Sequence, residues 1–188
     1  GYGKPATSAL STNFKPTGLY ASMPNYPARG DIASAKALLD SAGIKPDANG
    51  VRIRAILDLI PYGEDWRRAG EYLKQVLGDI GIKLELRYED VPTWLKRIYH
   101  NYDFVMNVNY FYQLPDPVLG VHRHYGTDQI RKGTHFVNSS RYSNSELDEL
   151  LASGATEANA QKRTQIYKKI QEILARDMPV VNLFELQF

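Results

Sequence analysis

The order of apolar and polar residues divides the chain into alternating helices and strands. Residues 31–42 carry apolar side chains at helical spacing, between an aspartate that can cap the helix and a glycine that stops it. Residues 51–60 alternate apolar and polar positions before an apolar run, which predicts a strand. The clearest helix is predicted over 64–80, because its apolar residues fall on one face and a glycine follows. Residues 82–88 alternate again and predict a second strand.

A strand, a helix and a strand in this order predict a parallel pair joined by a right-handed crossover. Further along, a short helix over 92–100 precedes a third strand over 103–110. The C-terminal part predicts helices over 145–153 and 160–176 and a closing apolar strand over 178–186. Together these elements predict a fold of the α/β class.

Residues 1–20 show no such periodicity. They are rich in Gly, Pro, Ser and Thr, which predicts a loop with little to pack. We therefore expect a connection that enters the domain from elsewhere in a longer protein.

Composition narrows the classes of function. The 188 residues are 43% hydrophobic, enough for a sizeable core, and no apolar run reaches the length of a membrane-spanning helix. A net charge of +2, from 23 basic and 21 acidic residues, gives no electrostatic reason to expect nucleic acid as a partner. The absence of cysteine excludes disulfides, thiolate catalysis and cysteine-based zinc sites. Thirteen tyrosines, each with an apolar face and a hydroxyl, suit a surface that holds partly polar ligands.

The sequence offers no constellation typical of catalysis. It contains neither a glycine-rich phosphate loop nor a Gly-x-Ser-x-Gly nucleophile turn. His122 and His124 lie two positions apart, but a metal site would need a third ligand, so we expect no metal. The carboxylates fall mostly on helix faces and caps, where Glu64 and Asp65 favour a helix N-terminus. We therefore expect no catalytic residue, no cofactor and no enzymatic activity.

Four short stretches carry a resemblance to a known family. They are Asp31 to Gly43, Leu77-Gly78-Asp79-Ile80-Gly81-Ile82, Tyr102-Asp103-Phe104 followed by Asp116-Pro117, and Asn138 with Tyr142-Ser143-Asn144-Ser145-Glu146-Leu147-Asp148 ahead of Asp177-Met178-Pro179. In this order and spacing, they resemble the C-terminal lobe of the extracellular solute-binding proteins of the oligopeptide, dipeptide and nickel transport family. The Asn and Asp residues of the fourth stretch are predicted to tie down a turn and cap a helix.

The resemblance implies a fold like that of the class II periplasmic binding proteins, with a mixed β-sheet flanked by helices. Residues 1–30 would form an incoming loop or crossover segment, and residues 31–188 a single α/β ligand-binding lobe of a larger two-lobed protein. The N-terminal lobe would lie outside this sequence, and the strand leaving the lobe would run over 186–188. Such proteins are periplasmic, or extracellular and membrane-anchored.

The resemblance also places a ligand site. Tyr110, Phe111 and Tyr112 occupy the aromatic stretch that flanks the pocket in the family, and they are predicted to contact the ligand. Gln113 stands where peptide-binding relatives have an aspartate that receives the amino group of the peptide. A neutral amide accepts a hydrogen bond but does not neutralise a buried cation, so Gln113 argues mildly against simple peptides with a free amine.

The function implied is delivery of a small solute to an ABC importer by clamshell closure. The solute would be an oligopeptide, an opine or a similar molecule, and the partners would be the membrane subunits of the transporter and the missing N-terminal lobe. One alternative is a metabolite-sensing domain of a transcriptional regulator, which the flanking sequence would reveal. Another is an α/β hydrolase, which needs a nucleophile and a base that the sequence does not offer.

Overall fold

The computed structural model describes residues 3–24 and 30–186, which fall into two compact units. Unit 1 takes residues 3–24 and 111–186, and unit 2 takes residues 30–110. The chain thus leaves unit 1, forms the whole of unit 2 and returns to unit 1. These limits differ from the predicted division at residues 30 and 31. The predicted exit strand runs beyond residue 186, into positions outside the described residues.

Strands and α-helices alternate along the described residues as far as residue 125, and two further helices then precede the last strand. The strands are β1 (Gly3–Pro5), β2 (Ile53–Leu59), β3 (Ile82–Arg87), β4 (Met106–Val108) and β5 (Phe184–Leu186). The α-helices are α1 (Ile32–Ser41), α2 (Glu64–Gly78), α3 (Val91–Leu95), α4 (Val121–Tyr125), α5 (Ser145–Thr156) and α6 (Ala160–Asp177). Short 3-10 turns occur at Thr12–Thr17, Pro117–Leu119 and Thr127–Gln129, and a π-helical turn, Lys96–Asn101, continues α3.

Unit 2 is built on a parallel sheet in the order β3-β2-β4. The predicted strand–helix–strand unit is therefore confirmed as β2-α2-β3. The third strand is shorter than the predicted 103–110, because Asp103 is held away from the sheet. Its backbone N–H donates to the carbonyl of Arg97, and its carboxylate lies 2.5 Å from the Arg97 guanidinium.

The core of unit 2 lies between this sheet and α2. Its buried residues are Leu57, Leu59, Leu84 and Val108, with Trp66, Leu73 and Leu77 of α2 packed against them. The apolar face predicted for this helix is thus the face that packs. Gly70, on the same face, brings the helix close to β2, since an added Cβ would lie 2.4 Å from the side chain of Leu59.

In unit 1, α5 packs against α6, and β1 and β5 form an antiparallel pair. Its buried core consists of Ala9, Leu10, Phe14, Leu19, Val121, Tyr125, Leu147, Leu151, Tyr167, Ile170, Ile173 and Leu174. The expectation that the first residues have little to pack is wrong, since Leu10 is fully buried and Phe14 is 3% exposed. The predicted α/β class is confirmed, with parallel pairing in one sheet and antiparallel pairing in the other.

Gln171 of α6 holds the parts of this early segment that lie outside β1 and the 3-10 turn. Its Oε1 accepts hydrogen bonds from Ser8 Oγ at 2.8 Å and from Ala21 N at 2.9 Å. Its Nε2 donates to the carbonyls of Leu19 and Tyr167, each at 2.8 Å. The buried amide therefore satisfies backbone groups that a loop would otherwise leave without partners.

The fourth stretch of the family resemblance has the predicted structural role. Asn144 caps α5 by accepting a hydrogen bond from Leu147 N at 3.1 Å. Asp148 accepts from Thr127 N at 2.9 Å, and Asn138 donates to two backbone carbonyls. These side chains fix the irregular segment ahead of α5.

Candidate functional site

Aromatic side chains gather at the C-terminal edge of the unit 2 sheet. Tyr62 follows β2, Tyr110 follows β4, and Trp66 lies in the first turn of α2. The rings of Tyr110 and Trp66 are stacked, with centroids 5.4 Å apart and planes at 23°. The ring of Tyr62 meets Tyr110 edge-on at 5.8 Å. We call these three residues the aromatic edge.

The strand order makes this edge the expected place for a ligand. The chain leaves β2 to form β3 on one side, whereas β4 lies on the other side of β2. In open parallel sheets, ligands bind outside the carboxyl ends of strands where the connections diverge in this way. Tyr62 is 41% exposed and therefore available for contact.

A depression of about 440 Å³ lies at the same end of β2 and β3. Its lining consists of Leu59, Ile60, Pro61, Gly63, Arg67, Tyr88, Glu89, Asp90 and Val91. The Arg67 guanidinium lies 4.5 Å from the ring centroid of Tyr88, a cation–π contact that shapes one wall. A larger concavity of about 680 Å³ is lined only by exposed residues of α2 and by Asp79, away from the strand ends.

Buried charges fix the strand ends beside this depression. The Asp58 side chain of β2 is 1% exposed, and its Oδ1 lies 2.9 Å from Arg87 Nε and 3.7 Å from Arg97 Nε. Arg97 also pairs with Glu89 at 2.6 Å and with Asp103 at 2.5 Å. Burial raises the pKa of Asp58, although both arginines oppose the rise. Arg97 lowers the pKa of Glu89.

This charge cluster suits a structural role better than acid–base catalysis, because each of its carboxylates pairs with a guanidinium. Sequence reasoning missed it. A signal was present, since Asp58 stands alone within the apolar run Ile56-Leu57-Asp58-Leu59-Ile60. A carboxylate in such a run needs a buried partner, and Arg87 at the end of the next strand was the nearest candidate.

The four predicted ligand residues are divided between the units. Tyr110 is the last residue of unit 2 and part of the aromatic edge, whereas the other three belong to unit 1. There, the half-buried Phe111 packs on the imidazole of His124, with ring centroids 3.7 Å apart. Tyr112 is 63% exposed. The amide of Gln113 is bonded to the backbone on both sides, accepting from Ser11 N and donating to Ala9 O, each at 2.7 Å.

The histidines do not converge on a metal. His122 and His124 lie on the short helix α4, where residues two apart point in different directions. His122 Nε2 lies 3.2 Å from Asp128 Oδ1. Burial lowers the pKa of His124 to about 3, so its imidazole is neutral at ordinary pH. Among residues 3–24 and 30–186, no three His, Cys, Asp or Glu side chains are grouped to hold a metal ion.

None of the helices that the structure describes has the length and apolar character needed to cross a membrane.

Known proteins are similar to this chain in sequence and in fold. The di/tripeptide-binding protein 1 of Pseudomonas aeruginosa is 25% identical over 153 residues, which cover 81% of this chain and 28% of that protein. The ABC transporter substrate-binding protein CtaP of Listeria monocytogenes has a TM-score of 0.76 and 27% identity, over 98% of this chain and 35% of that one. The dipeptide-binding protein of Pseudoalteromonas sp. SM9913, solved with Met-Leu, has a TM-score of 0.81 and 20% identity. This match covers 98% of this chain and 35% of that one.

The chain thus spans between 28% and 35% of the length of these three proteins. The structural likeness confirms the predicted periplasmic-binding-protein type of fold. The family model for bacterial extracellular solute-binding proteins, family 5 Middle, matches residues 1–132, and the family consists of solute-binding proteins rather than enzymes. Because the match covers more than half of the 188 residues, this chain belongs to the bacterial extracellular solute-binding proteins of family 5.

Proposed function

We propose that this chain forms a ligand-binding lobe of a solute-binding protein that delivers peptides or similar small solutes to an ABC importer, without altering them. The observation that carries the proposal is the aromatic edge, since Tyr62, Trp66 and Tyr110 meet outside the carboxyl ends of two parallel strands. Because the chain belongs to a family of solute-binding proteins, we interpret this edge as a surface that binds a solute.

The chemistry of the edge suits recognition. Tyrosine and tryptophan rings offer flat apolar faces to side chains or sugar rings, and their polar tips bond to the polar parts of a ligand. Of the two carboxylates that line the depression, Glu89 pairs with Arg97, and Asp90 caps α3 by accepting a hydrogen bond from Thr93 N. The buried Asp58 beside them pairs with Arg87. This pairing supports a surface that binds a solute without acid–base catalysis.

The mechanism we infer is capture by closure. Residues 31–188, with residues 1–30 as the crossover segment, would belong to one lobe, and a second lobe of the same protein would close over the solute. The closed form would be recognised by the membrane subunits of the importer, in the periplasm or at the outer face of the cell. Peptides and opines are the solute classes that we expect.

The experiment begins with the complete natural protein and the solute that co-purifies with it, identified by native mass spectrometry. Calorimetry with that solute then compares Tyr62→Ala with Tyr72→Ala, which removes a tyrosine that is 65% exposed on the outer face of α2. Loss of one aromatic contact, worth about 0.5–1.5 kcal/mol, should weaken binding about two- to tenfold in Tyr62→Ala. The Tyr72→Ala protein should bind as the natural protein does.

Three results would oppose the proposal. The first is the absence of any bound or bindable solute. The second is unchanged affinity in Tyr62→Ala. The third is turnover of an ester or peptide substrate by the purified protein. Closure in particular predicts weak binding by the isolated 188-residue chain, so submicromolar affinity of that chain would contradict it.

A further inference from the structure

The side chain of Gln113 links two segments of unit 1 that lie far apart in the sequence. Its Oε1 accepts a hydrogen bond from Ser11 N, and its Nε2 donates to the carbonyl of Ala9, each at 2.7 Å. An amide bound in this way to one acceptor and one donor of the backbone is held in a single orientation. The side chain of Gln113 is therefore not free to turn toward a ligand.

The segment that receives Gln113 is itself fixed. Ala9 is 2% exposed and belongs to the core of unit 1. The next residue after Ser11, Thr12, donates from its backbone N and from its Oγ1 to the carboxylate of Glu185, at 2.8 and 2.7 Å. Glu185 lies on β5, which pairs with β1. Gln113 is thus bonded to a rigid part of the unit.

Gly120 lies close to the same backbone. A Cβ added to Gly120 would lie 3.1 Å from the Cα of Gln113 and 3.3 Å from the carbonyl oxygen of Tyr112. A side chain at position 120 would therefore crowd the backbone of 112–113, which only glycine approaches so closely without a shift. Just before it, Phe111 packs on His124, whereas the side chain of Tyr112 is 63% exposed.

We propose that Gln113 is a positioning residue, which fixes the backbone of Phe111–Gln113 on the core of unit 1 and so presents Tyr112 to the solute, without touching the solute itself. The anchoring stands on unit 1 alone, whereas presentation of Tyr112 rests on the proposed function. The two parts need different readouts.

Amide hydrogen exchange, measured by NMR on the 188-residue chain, tests the anchoring. Gln113→Ala removes the acceptor of Ser11 N, so protection of the Ser11 amide should fall by about tenfold or more. Protection of the Thr12 amide, which bonds to Glu185, should persist and shows that the unit stays folded. Gln161→Ala, an exposed glutamine on α6, is the matched control and should leave both amides unchanged.

Gln113→Glu separates loss of this bond from general destabilisation. The substitution keeps an acceptor for Ser11 N but sets a carboxylate oxygen against the carbonyl of Ala9, so protection of the Ser11 amide should fall less than in Gln113→Ala. If Ser11 protection is unchanged in Gln113→Ala, the anchoring is refuted. The same holds if Gln113→Ala and Gln113→Glu lower Ser11 protection equally.

A double-mutant cycle on the complete protein tests the presentation of Tyr112, with the co-purified solute as the probe. Tyr112→Ala should weaken binding about two- to tenfold. If Gln113 acts only through Tyr112, Gln113→Ala should add little in that background, and the double variant should bind within about twofold of Tyr112→Ala. Additive losses would show that Gln113 acts independently of Tyr112 and would overturn the proposal. Absence of any solute would defeat the proposed function, while the exchange data would still decide the anchoring.

Discussion

The close packing of α2 on β2 at Gly70 predicts how a substitution there changes the stability of unit 2. The residue lies in the middle of α2, on the face that packs against β2. A Cβ at this position would lie 2.4 Å from Leu59 Cδ1, 2.8 Å from Cδ2 and 3.2 Å from Cγ. Leu59 is 1% exposed, so its side chain cannot rotate away into solvent. Gly70→Ala must therefore displace either the helix or the leucine.

The expected magnitude combines two opposing effects. Overpacking a core costs about 1–3 kcal/mol, whereas replacing glycine by alanine inside a helix gains about 1 kcal/mol. The difference leaves Gly70→Ala less stable by about 1 kcal/mol. The same helix supplies the control, since an added Cβ on the exposed Gly78 has no atom within 4 Å outside its immediate chain neighbours. Gly78→Ala should be neutral or stabilising, by up to about 1 kcal/mol.

Urea unfolding followed by tryptophan fluorescence measures the stability of unit 2 in both variants, because the two tryptophans of the chain, Trp66 and Trp94, lie in that unit. The midpoints of Gly70→Ala and Gly78→Ala should shift in opposite directions. In a Leu59→Ala background, where the obstructing side chain is absent, Gly70→Ala should lose its cost. The reasoning fails if Gly70→Ala is as stable as the natural protein, or if its cost persists without the leucine.

Two further predictions concern unit 1. Burial lowers the pKa of His124 to about 3, so the unfolded chain, with a histidine pKa of about 6.5, takes up a proton first as the pH falls. The free energy of unfolding should therefore drop by about 2 kcal/mol between pH 8 and pH 5, and denaturation followed by circular dichroism should show this drop abolished in His124→Gln. Gln171→Leu leaves Ser8 Oγ, Ala21 N and the Leu19 carbonyl without their partner. It should cost about 3 kcal/mol or more, seen as a lower midpoint, unlike the matched Gln161→Leu.

Local periodicity was sufficient to predict most of unit 2. The strand predicted over 51–60 is observed as Ile53–Leu59, and the helix predicted over 64–80 as Glu64–Gly78. Each of these elements has a continuous pattern of apolar residues, and its neighbour in the sequence is also its neighbour in the fold. The βαβ unit could therefore be predicted from a single stretch of chain.

The early segment of unit 1 could not be predicted in this way. Leu10, Phe14 and Leu19 follow neither a helical nor a strand period, yet all three are buried. They share one core with residues of α6. The backbone at Leu19 and Ala21 is held by hydrogen bonds to Gln171, which lies about 150 positions further along the chain. A loop fixed by side chains distant in sequence leaves no local pattern to recognise.

The candidate site was predicted only in part, for a similar reason. Tyr110 was identified from the family resemblance, whereas Trp66 belongs to the apolar face predicted for the helix over 64–80 and Tyr62 stands in no motif of the sequence. Their contact with Tyr110 depends on β4 pairing with β2 rather than with β3. The sequence contains no signal for that choice of neighbour, since a third parallel strand can join either edge of a βαβ unit.

The buried carboxylate of Asp58 gives a physical reason for the strand ends to lie where they do. A carboxylate that is 1% exposed in a strand costs several kcal/mol unless cations approach it. Arg87 at the end of β3 and Arg97 of the π-helical turn are those cations. Arg97 also pairs with Asp103, ahead of β4, so the ion pairs around Asp58 link β2, β3 and the segment that precedes β4. Tyr62 follows β2 and Tyr110 follows β4, so the aromatic edge depends on a sheet in which a buried ion-pair network, which no solute needs to touch, fixes the end of β2 against the end of β3.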